Sequence, residues 1–396
     1  MAEIKSIEQA LVAGERVLLR VDFNVPIKDN EVTDDTRIKA ALPTIKHLLD
    51  RGARVVLLSH LGRPQGIGYE IEYSLRPVAY HLSELLGQEV MFSKSIYGDE
   101  AIAYTKALLP GEIMMIENLR FDSREKDNNP NFCMELARLG DIYVNDAFGT
   151  AHRDHASTAG LPIFLPSYAG LLLDKELKTL QGMLDEPKRP FVAILGGSKV
   201  SDKIKIIDAL IDKCDTLIIG GGMCFTFLLA KGYAVGSSLK EEDWVDRCKT
   251  MLEKAKKQNV KILLPLDVVV AEQFADDVPT DVVSVKAIPA NKMGLDIGPS
   301  TARLFAHAIS EAGSVFWNGP MGVFEMKPFE AGTKVVAEAV AKCKGDTIIG
   351  GGDSVAAVNK FNLAKEMTFI STGGGASMEL VQGEALPGIE VLKLMI

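Results

Sequence analysis

The chain has 396 residues, of which 47% are apolar and 24% charged, and its formal net charge is -9. This length exceeds the size at which a single hydrophobic core usually stops growing, so we expect two domains. The acidic total argues against sequence-independent binding to nucleic acid or to an anionic membrane, although a local basic patch can exist within it.

The lack of a recognisable secretory signal or membrane span, together with the spacing of the cysteines, predicts a cytoplasmic protein. The first ten residues, MAEIKSIEQA, carry charges at once and lack the apolar core of a secretory signal. The longest stretch without Asp, Glu, Lys or Arg, residues 155–173, is interrupted by Pro162 and Pro166 and is a poor candidate for a membrane span. The five cysteines are widely spaced and include no C-x-x-C pair, as expected of free thiols in a reducing compartment.

Short apolar runs rich in Val and Ile alternate with helical patterns along the whole chain, which is typical of parallel sheets covered by helices. The fold class predicted is therefore α/β, with two doubly wound parallel-sheet (Rossmann-like) domains. The predicted strands are residues 17–23, 54–59, 90–93, 112–118 and 141–146 in the first half, and 191–196, 216–220, 261–270, 315–319, 347–350 and 367–372 in the second.

A connecting helix is predicted between the halves. Leucines recur at helical spacing from Leu173 to Leu184, and Pro187 and Pro190 follow them. We expect a first domain over residues 1–172, a connecting helix over 173–186 and a second domain from residue 187.

The segments that follow the predicted strands differ between the halves. In the second half they are rich in glycine, whereas in the first half they carry Arg, His and Asn. Ligands of open parallel sheets bind at the carboxyl ends of the strands, so the two halves are predicted to bind different ligands.

The glycine clusters of the second half favour phosphate as a ligand. Glycine lets a backbone approach a ligand closely, and the start of the following helix adds positive dipole character. A Gly-rich turn can also simply join a strand to a helix. No cluster fits the Walker pattern, and none forms a G-x-G-x-x-G opening the first strand–helix unit, so a standard P-loop and a standard dinucleotide site are both poorly supported.

Two lysines follow the first of these glycine pairs. If a helix starts near Ser198, Lys199 and Lys203 lie four apart on one face of its first turns, where they oppose the helix dipole and repel each other. This arrangement favours phosphate contacts over a solvated lysine pair. Asp353 is either a helix N-cap or a magnesium contact, and Glu325 is either a surface carboxylate or an acceptor for ribose hydroxyls.

The first half contains the basic patch. Arg20, Asp22 and Asn24 alternate with apolar residues and so share one face of a strand, as they also would in an ordinary half-exposed strand. Several converging arginines suit a small, multiply anionic ligand, and a zinc site at His152 and His155 is weakly supported. Further basic residues lie in or near segments that follow strands: Arg37, His60, Arg63, Arg120, His152 and Arg153.

Taken together, these motifs resemble those of the phosphoglycerate kinase family and occur in family order along almost the whole chain. They are RVDFNVP (20–26), DDTRI (34–38), SHLGRP (59–64), ENLRFD (117–122), NDAFGTAHRDHAS (145–157), GGSKVSDK (196–203), GGGM (220–223), GLDIGP (294–299), WNGPMGVFE (317–325), GGGDS (350–354) and STGGGAS (371–377). Departures are small: Ser354 stands where some members have Thr, and Ser198 where many have Ala.

The resemblance implies an enzyme that moves the acyl phosphate of 1,3-bisphosphoglycerate reversibly to ADP, with magnesium, in glycolysis and gluconeogenesis. It implies that 3-phosphoglycerate meets Asp22, Phe23, Asn24, Arg37, His60, Leu61, Gly62, Arg63, Arg120 and Arg153. It implies that ADP or ATP meets Gly197, Lys199, Lys203, Gly221, Gly294, Asn318, Glu325, Gly351, Gly352, Asp353, Ser354 and Val355, with Asp353 as the Mg²⁺ contact. It also implies a monomer whose last residues, 376–396, return to the first domain, leaving 187–375 as the nucleotide-binding domain.

Phosphoryl transfer needs alignment and charge stabilisation more than covalent help. The nucleophile in the reverse direction is a carboxylate, which is ionised at neutral pH with a pKa of about 4, so no general base is required. Arg37 and Lys199 are the residues that we expect to stabilise the transferring phosphoryl group. We expect the two domains to close over the substrates by bending near residues 171–190 and 371–374.

Two other classes of protein remain as rivals. A nicotinamide-dependent dehydrogenase also combines a parallel sheet with Gly-rich loops. A non-enzymatic two-domain protein would bind 3-phosphoglycerate without turnover.

Overall fold

The structure is a computed structural model that describes residues 4–394. Its internal contacts divide the chain into two compact units, Met1–Lys178 with Ala385–Ile396, and Thr179–Glu384, which we call unit 1 and unit 2. Strands and helices are numbered separately in chain order.

Unit 1 is built on a sheet of six parallel strands in the order β5-β6-β4-β1-β7-β8. The bounds of its strands are β1 Arg16–Arg20, β4 Arg54–Leu58, β5 Val90–Ser93, β6 Ile113–Ile116, β7 Ile142–Asn145 and β8 Ser167–Ala169, and a separate hairpin is formed by β2 Ile27–Lys28 and β3 Glu31–Val32. Every residue of β6 and β7 is buried, as expected of strands that have helices on both faces.

The helices of unit 1 begin and end where their sequences allow. The Asn129 side chain accepts hydrogen bonds from two free N–H groups at the start of α4, and Gly87 ends α2 in the left-handed conformation (φ 68°). The bounds are α1 Thr36–Asp50, α2 Arg76–Leu86, α3 Gly98–Ala107, α4 Pro130–Ala137, α5 Leu171–Asp185 and α13 Pro387–Leu394. The boundary between the units falls inside α5, after Lys178, and the chain rejoins unit 1 at Ala385.

Unit 2 contains a second sheet of six parallel strands, in the order β11-β10-β9-β15-β16-β17, and a three-stranded antiparallel sheet in the order β13-β12-β14. The strand bounds are β9 Phe191–Leu195, β10 Thr216–Ile219, β11 Lys261–Leu263, β12 Asp267–Ala271, β13 Asp281–Ser284, β14 Met293–Ile297, β15 Ser314–Asn318, β16 Asp346–Ile349 and β17 Phe369–Ile370. The helix bounds are α6 Ile204–Ile211, α7 Cys224–Ala230, α8 Val245–Lys257, α9 Pro299–Ser310, α10 Ala331–Ala341, α11 Gly352–Lys360 and α12 Gly375–Val381.

The predicted α/β class with two parallel sheets is confirmed, but several predicted strands are wrong in extent. The strands predicted over residues 112–118 and 367–372 cover only Ile113–Ile116 and Phe369–Ile370. The strand predicted over residues 17–23 ends at Arg20, so Asp22 and Asn24 lie beyond it although burial still alternates. The strand predicted over residues 261–270 is two strands in different sheets, since Pro265 has no N–H to continue a ladder.

Several short strands were not predicted, namely β2, β3, β8, β13 and β14. None of the helices within residues 4–394 has both the length and the apolar character needed to cross a membrane.

Candidate active site

The polar edge of unit 1 forms where its central parallel strands end. Arg20 at the end of β1 pairs in register with Leu58 of β4 and with Asn145 of β7. The three segments that follow these strands therefore start side by side. The segment after β6 joins the same edge, because Leu57 pairs with Met115.

Hydrogen bonds tie these segments together. Arg37, in the first turn of α1, donates from Nη1 to Asp22 Oδ2 (3.0 Å) and to the carbonyl oxygen of Asn24 (3.1 Å). The N–H of Gly62 donates to Asn24 Oδ1 (2.9 Å), and Arg120 Nη1 donates to the carbonyl oxygen of Gly62 (2.7 Å). The structure thus brings together the predicted residues from the RVDFNVP, DDTRI, SHLGRP and ENLRFD motifs.

Several buried nitrogen atoms at this edge lack a hydrogen-bond partner. Arg120 Nε, Arg153 Nε and His152 Nδ1 are buried and have no hydrogen-bond partner among the described residues. Burial and the neighbouring charges of Arg153 and Arg20 lower the pKa of Arg120 to about 10. An oxyanion would supply both the missing acceptors and the missing negative charge.

The histidines at this edge are neutral. His60 is 2% exposed, and burial together with the charges of Arg20 and Arg120 holds its pKa well below the ordinary value. Burial, with the charges of Arg120 and Arg20, lowers the pKa of His155 to about 3. Burial and the charge of Arg153 lower the pKa of His152, against the opposing effect of Asp22. Positive charge at this edge therefore comes from arginine.

Three predicted substrate residues have a different environment. Phe23 and Leu61 are core residues, so only their backbone could meet a ligand, and the N–H of Phe23 already donates to Ser59 Oγ (3.0 Å). Arg63 is exposed in the loop after β4.

Sequence reasoning missed a buried layer beside His60. Ser157 donates to Glu125 Oε1 (2.6 Å) and accepts from Arg20 Nε (2.8 Å), and all three side chains are buried. Burial raises the pKa of Glu125, and Arg20 opposes that rise. Glu125 lies three residues beyond the ENLRFD motif and Ser157 ends the NDAFGTAHRDHAS motif, so closeness to these motifs was the available signal.

The corresponding edge of unit 2 is formed mainly by backbone. Leu195 of β9 pairs with Asn318 of β15, so Gly196 and Gly319 follow side by side. A Cβ atom on Gly196 would lie 1.9 Å from the carbonyl oxygen of Pro320, and one on Gly319 would lie 2.3 Å from the carbonyl oxygen of Gly196. Glycine is therefore required at both positions by close backbone packing.

Two buried side chains fix this glycine loop. Trp317 Nε1 donates to the carbonyl oxygen of Gly319 (2.7 Å), and the N–H of Gly319 donates to Ser354 Oγ (2.6 Å). The predicted nucleotide residue Ser354 is thus fully buried and engaged with the loop.

A polar cavity of about 330 Å³ opens at this edge. Lys203 Nζ donates to Asn318 Oδ1, and Asn318 Nδ2 donates to the carbonyl oxygen of Gly350 (2.7 Å). Burial lowers the pKa of Lys203, against the opposing effect of Asp353. The predicted residues that line this cavity are Gly197, Lys199, Lys203, Asn318, Gly351, Gly352, Asp353 and Ser354.

An apolar cavity of about 450 Å³ adjoins it and shares Gly197, Ser198 and Asp353 with it. Its walls include Phe225, and a Cβ atom on Gly294 would lie 2.1 Å from that ring. Gly221, Gly294 and Glu325 are the other predicted residues in its lining, whereas the apolar walls Phe225, Leu239 and Met293 were not predicted as site residues. A flat apolar compartment beside a lysine- and glycine-lined one matches a nucleoside with its phosphates.

Two expectations for this edge are corrected, and the predicted nucleotide contact at Val355 stays a prediction. The helix expected near Ser198 starts as a 3-10 turn at Ser201, so Lys199 lies in the preceding exposed loop and does not share a helical face with Lys203. Asp353 is not an N-cap, because Gly351 holds that position with a φ of 89°. Val355 lines neither cavity and packs against the core of unit 2.

The single carboxylate of Asp353 suits a magnesium ion that is carried by a nucleotide. Asp353 is exposed in the first turn of α11, at the border of both cavities. Mg²⁺ bound with phosphates commonly uses one or two carboxylates and keeps several waters. Within residues 4–394 no three His, Cys, Asp or Glu side chains are grouped as a metal site, and this includes the region of His152 and His155.

Two parallel-sheet units that each present a polar edge at the carboxyl ends of their strands are the architecture of a two-domain α/β enzyme for small molecules. The model of the phosphoglycerate kinase family matches residues 7–384. The chain belongs to the phosphoglycerate kinase family.

Relatives and solved structures agree with this assignment. The chain is 57% identical to the phosphoglycerate kinase of Moorella thermoacetica over 379 residues, covering 96% of both, and 52% identical to that of Borrelia turicatae, covering 98% of this chain and 99% of the relative. Its fold matches the phosphoglycerate kinase structures of Coxiella burnetii (TM-score 0.92, 42% identity) and Pyrococcus horikoshii (TM-score 0.85, 32% identity), each over 99% of both chains.

The reaction follows from this membership. The enzyme transfers the acyl phosphate of 1,3-bisphosphoglycerate reversibly to ADP, giving 3-phosphoglycerate and ATP, which is a glycolytic step. Its substrates are small molecules, and the family implies nucleotides used with Mg²⁺.

Proposed function

We propose that the two edges divide the substrates, with 3-phosphoglycerate or 1,3-bisphosphoglycerate on the edge of unit 1 and ADP or ATP on the edge of unit 2. The observation that carries this proposal is the group of buried nitrogens without a partner among the described residues, Arg120 Nε, Arg153 Nε and His152 Nδ1, of which the two arginine atoms are donors. A buried donor without a partner destabilises a protein, so its retention indicates a ligand that completes the hydrogen bond. Arg37, with Asp22 and Asn24, lies on the same edge.

On the edge of unit 2, the proposed nucleotide base lies in the apolar cavity and the phosphates lie in the polar one. The cavity linings support this assignment, because Gly294 and Phe225 form a flat apolar wall and Lys203 stands among glycine amides. Asp353 is the proposed magnesium ligand, and Glu325 is positioned to accept from ribose hydroxyls. Magnesium, when bound, neutralises charge on the phosphate oxygens.

Arg37 and Lys199 are the residues proposed to stabilise the transferring phosphoryl group. Arg37 is less than half exposed and is oriented by Asp22, so its planar donors are held in place before the substrate binds. Lys199 lies in an exposed loop that lines the polar cavity, where its ammonium can follow a moving phosphate. The acceptor carboxylate is already ionised, so the chain need only align and neutralise charge.

A coupled assay of ATP formation from ADP and 1,3-bisphosphoglycerate, with and without magnesium, tests the proposal. We expect turnover that depends on magnesium and is lost in Asp353→Ala. Protection against thermal unfolding by NADH but not by Mg-ADP would instead favour the dehydrogenase. Binding of 3-phosphoglycerate without turnover would favour a non-enzymatic binding protein.

We further propose a cytoplasmic monomer with domains 1–172 plus 376–396 and 187–375, which close over the substrates about the helix at residues 173–186. Free cysteines at all five positions support a reducing compartment. Small-angle scattering with both ligands bound tests closure and mass together. An unchanged radius of gyration would rule out closure, and a dimer mass would rule out the monomer.

A further inference from the structure

The contact between Arg20 and His60 determines where the imidazole proton lies. Arg20 Nη2 lies 3.2 Å from His60 Nδ1, and the two side chains are 1% and 2% exposed. A guanidinium can only donate hydrogen bonds. Nδ1 of His60 must therefore accept, which leaves Nε2 to carry the ring proton and disfavours the doubly protonated ring.

Arg20 is itself held by a buried chain of hydrogen bonds. Its Nε donates to Ser157 Oγ (2.8 Å), and its Nη1 donates to the carbonyl oxygen of Val21. The hydroxyl of Ser157 then donates to Glu125 Oε1 (2.6 Å), and the N–H of Ser157 donates to Glu125 Oε2 (3.0 Å). The Nε, Nη1 and Nη2 atoms of Arg20 all lie in contact with partners inside the protein. We therefore assign to Arg20 the role of orienting a neighbouring side chain, His60.

The backbone of Ser157 is also fixed. Tyr143, a fully buried residue of β7, donates from its hydroxyl to the carbonyl oxygen of Ser157 (2.8 Å). Ser157 lies in a short π-helical segment, Ala156–Gly160, in which every residue is buried. The series of hydrogen bonds that runs from Tyr143 through Ser157 and Arg20 to His60 therefore has little freedom to rearrange.

We propose that Arg20, held by Ser157 and Glu125, is a positioning residue that fixes His60 as the neutral tautomer with its proton on Nε2, so that His60 donates a hydrogen bond to an oxyanion of the substrate. This inference rests on the proposed binding of 3-phosphoglycerate at the edge of unit 1. The arginines bind the substrate by charge, whereas His60 adds a directed donor without adding to their mutual repulsion.

The surroundings of His60 are consistent with a neutral ring. The positive groups that act on it are Arg20, Arg120 and Arg153, with His155 nearby, and the facing carboxylate is Asp22, whose Oδ1 lies 4.0 Å from Nδ1. That separation is too long for a hydrogen bond. The ring should therefore stay uncharged over roughly pH 6 to 8, the range in which an unperturbed histidine titrates.

Nitrogen-15 NMR of the imidazoles in the full-length protein tests the tautomer directly. We expect His60, assigned by the signals missing from His60→Gln, to show an unprotonated Nδ1 and a protonated Nε2 throughout that pH range, with and without 3-phosphoglycerate. A proton on Nδ1, or a charged ring at neutral pH, would overturn the inference. This measurement needs no variant of the buried chain.

Two substitutions of His60 distinguish the roles of its two ring nitrogens. The amide nitrogen of Gln reaches the position of Nε2, whereas that of Asn reaches the position of Nδ1, where it faces the donor of Arg20. We expect the KM for 3-phosphoglycerate to rise only a few-fold in His60→Gln but about tenfold to a hundredfold in His60→Asn, as for loss of a hydrogen bond to a charged group. The KM for ADP should stay unchanged in both, and the reverse order of the two variants would count against the inference.

Ser157→Ala tests the positioning role, with Ser93→Ala as its matched control. Ser93 is also a buried, hydrogen-bonded serine of unit 1, but it lies at the end of β5 on the far edge of the sheet. We expect Ser157→Ala to populate the Nδ1–H form and to raise the KM for 3-phosphoglycerate, and Ser93→Ala to change neither. An Nε2–H ring retained in folded Ser157→Ala would show that Ser157 is not needed.

The tests also distinguish failure of this inference from failure of the proposed function. If neither Arg37→Ala nor Arg153→Gln changed the KM for 3-phosphoglycerate, substrate would not bind at this edge and the proposed function would fall, whatever the tautomer. If Arg153→Gln raised that KM but His60 carried its proton on Nδ1, only the inference would fall.

Discussion

The two units use the same sheet architecture to build binding edges of different material. In unit 1, side chains from separate loops form the edge, and Arg37, Arg120 and Arg153 supply its charge. In unit 2, the backbone forms most of the edge, because Gly196 and Gly319 pack too closely for any side chain. Truncating side chains should therefore damage unit 1, and adding a methyl group should damage unit 2.

This difference matches the ligands that each edge is proposed to hold. A small, highly charged acid offers oxyanions on all sides, and the planar donors of arginine match them in pairs. A nucleotide offers a flat apolar base and a phosphate tail, which suit an apolar wall and glycine amides. The contrast leads to predictions in which a substitution impairs the function or stability of one unit and leaves the other unit unchanged.

The largest expected effect is that of Arg37→Ala on the rate of transfer. Loss of a cation that stabilises the transferring phosphoryl group should lower kcat by about a thousandfold. Steady-state kinetics in the direction of ATP formation measures this, and calorimetry with ADP serves as the control. An effect confined to nucleotide affinity would contradict the role assigned to Arg37.

The next largest effect concerns the pH dependence of stability, because each unit contains a buried carboxyl group with a raised pKa. Burial raises the pKa of Asp146 in unit 1 to about 6 and that of Asp296 in unit 2 to about 7. Asp146 Oδ2 has no hydrogen-bond partner among residues 4–394, while Oδ1 accepts from the N–H groups of Leu172 and Leu173 at the start of α5. The Thr44 side chain and these N–H groups oppose the effect of burial on the pKa. Because the folded pKa of Asp146 lies above its unfolded value of about 4, its contribution to stability is complete below about pH 4 and is lost as pH rises through about 6.

Asp146→Asn should remove this pH dependence, since an amide stays neutral and its oxygen can still accept from α5. A pKa difference of about two corresponds to about 3 kcal/mol, so the variant should gain at most about that much relative to the native chain between pH 4 and pH 7. Urea unfolding at several pH values measures the difference. Parallel stability curves for the two proteins would show that Asp146 does not titrate in this window.

The backbone edge of unit 2 is tested by Gly196→Ala. The added methyl group would overlap the carbonyl oxygen of Pro320, so the glycine loop must shift. We expect the free energy of unfolding to fall by about 1 to 3 kcal/mol and the KM for ADP to rise about tenfold. The KM for 3-phosphoglycerate should not change.

Gly182→Ala is the matched control for this substitution. Gly182 lies inside α5, and an added Cβ atom there has no neighbour within 4 Å. Alanine should stabilise that helix by about 0.5 to 1 kcal/mol. If both variants lost nucleotide affinity equally, the close packing at Gly196 would not be the cause.

The parts of the molecule that depend on local pattern were predictable from sequence. Strands such as Phe191–Leu195 are continuous apolar runs because helices cover both faces of the sheet, and parallel strands end at a common edge. The sequence alone therefore predicted that Arg37, His60 and Arg120 lie at one edge of a sheet. The antiparallel sheet was missed, since β13 is largely exposed and carries no buried run.

The parts that depend on distant contacts were not predictable. Glu125 and Ser157 are 32 residues apart, and only the fold brings them to Arg20. Phe225 of α7 and Met293 of β14 form part of the wall of the apolar cavity, although each has the pattern of an ordinary core residue in the sequence. The start of the helix at Ser201 also escaped prediction, because Lys199 and Lys203 have helical spacing without the helix.

The smallest effect is expected for Arg153→Gln. This variant tests whether a residue that binds substrate at the edge of unit 1 also destabilises the free protein. Arg153 Nε is buried without a partner, and a positive charge there is repelled by Arg120. The substitution should raise the KM for 3-phosphoglycerate about tenfold while leaving the Tm of the free protein equal or higher. Steady-state kinetics measures the KM. Differential scanning calorimetry with and without 3-phosphoglycerate measures the Tm and its ligand-induced shift, because a ligand stabilises the native state according to the logarithm of its concentration over Kd. A lower Tm with an undiminished ligand-induced shift would mean that Arg153 supports the fold and not the substrate.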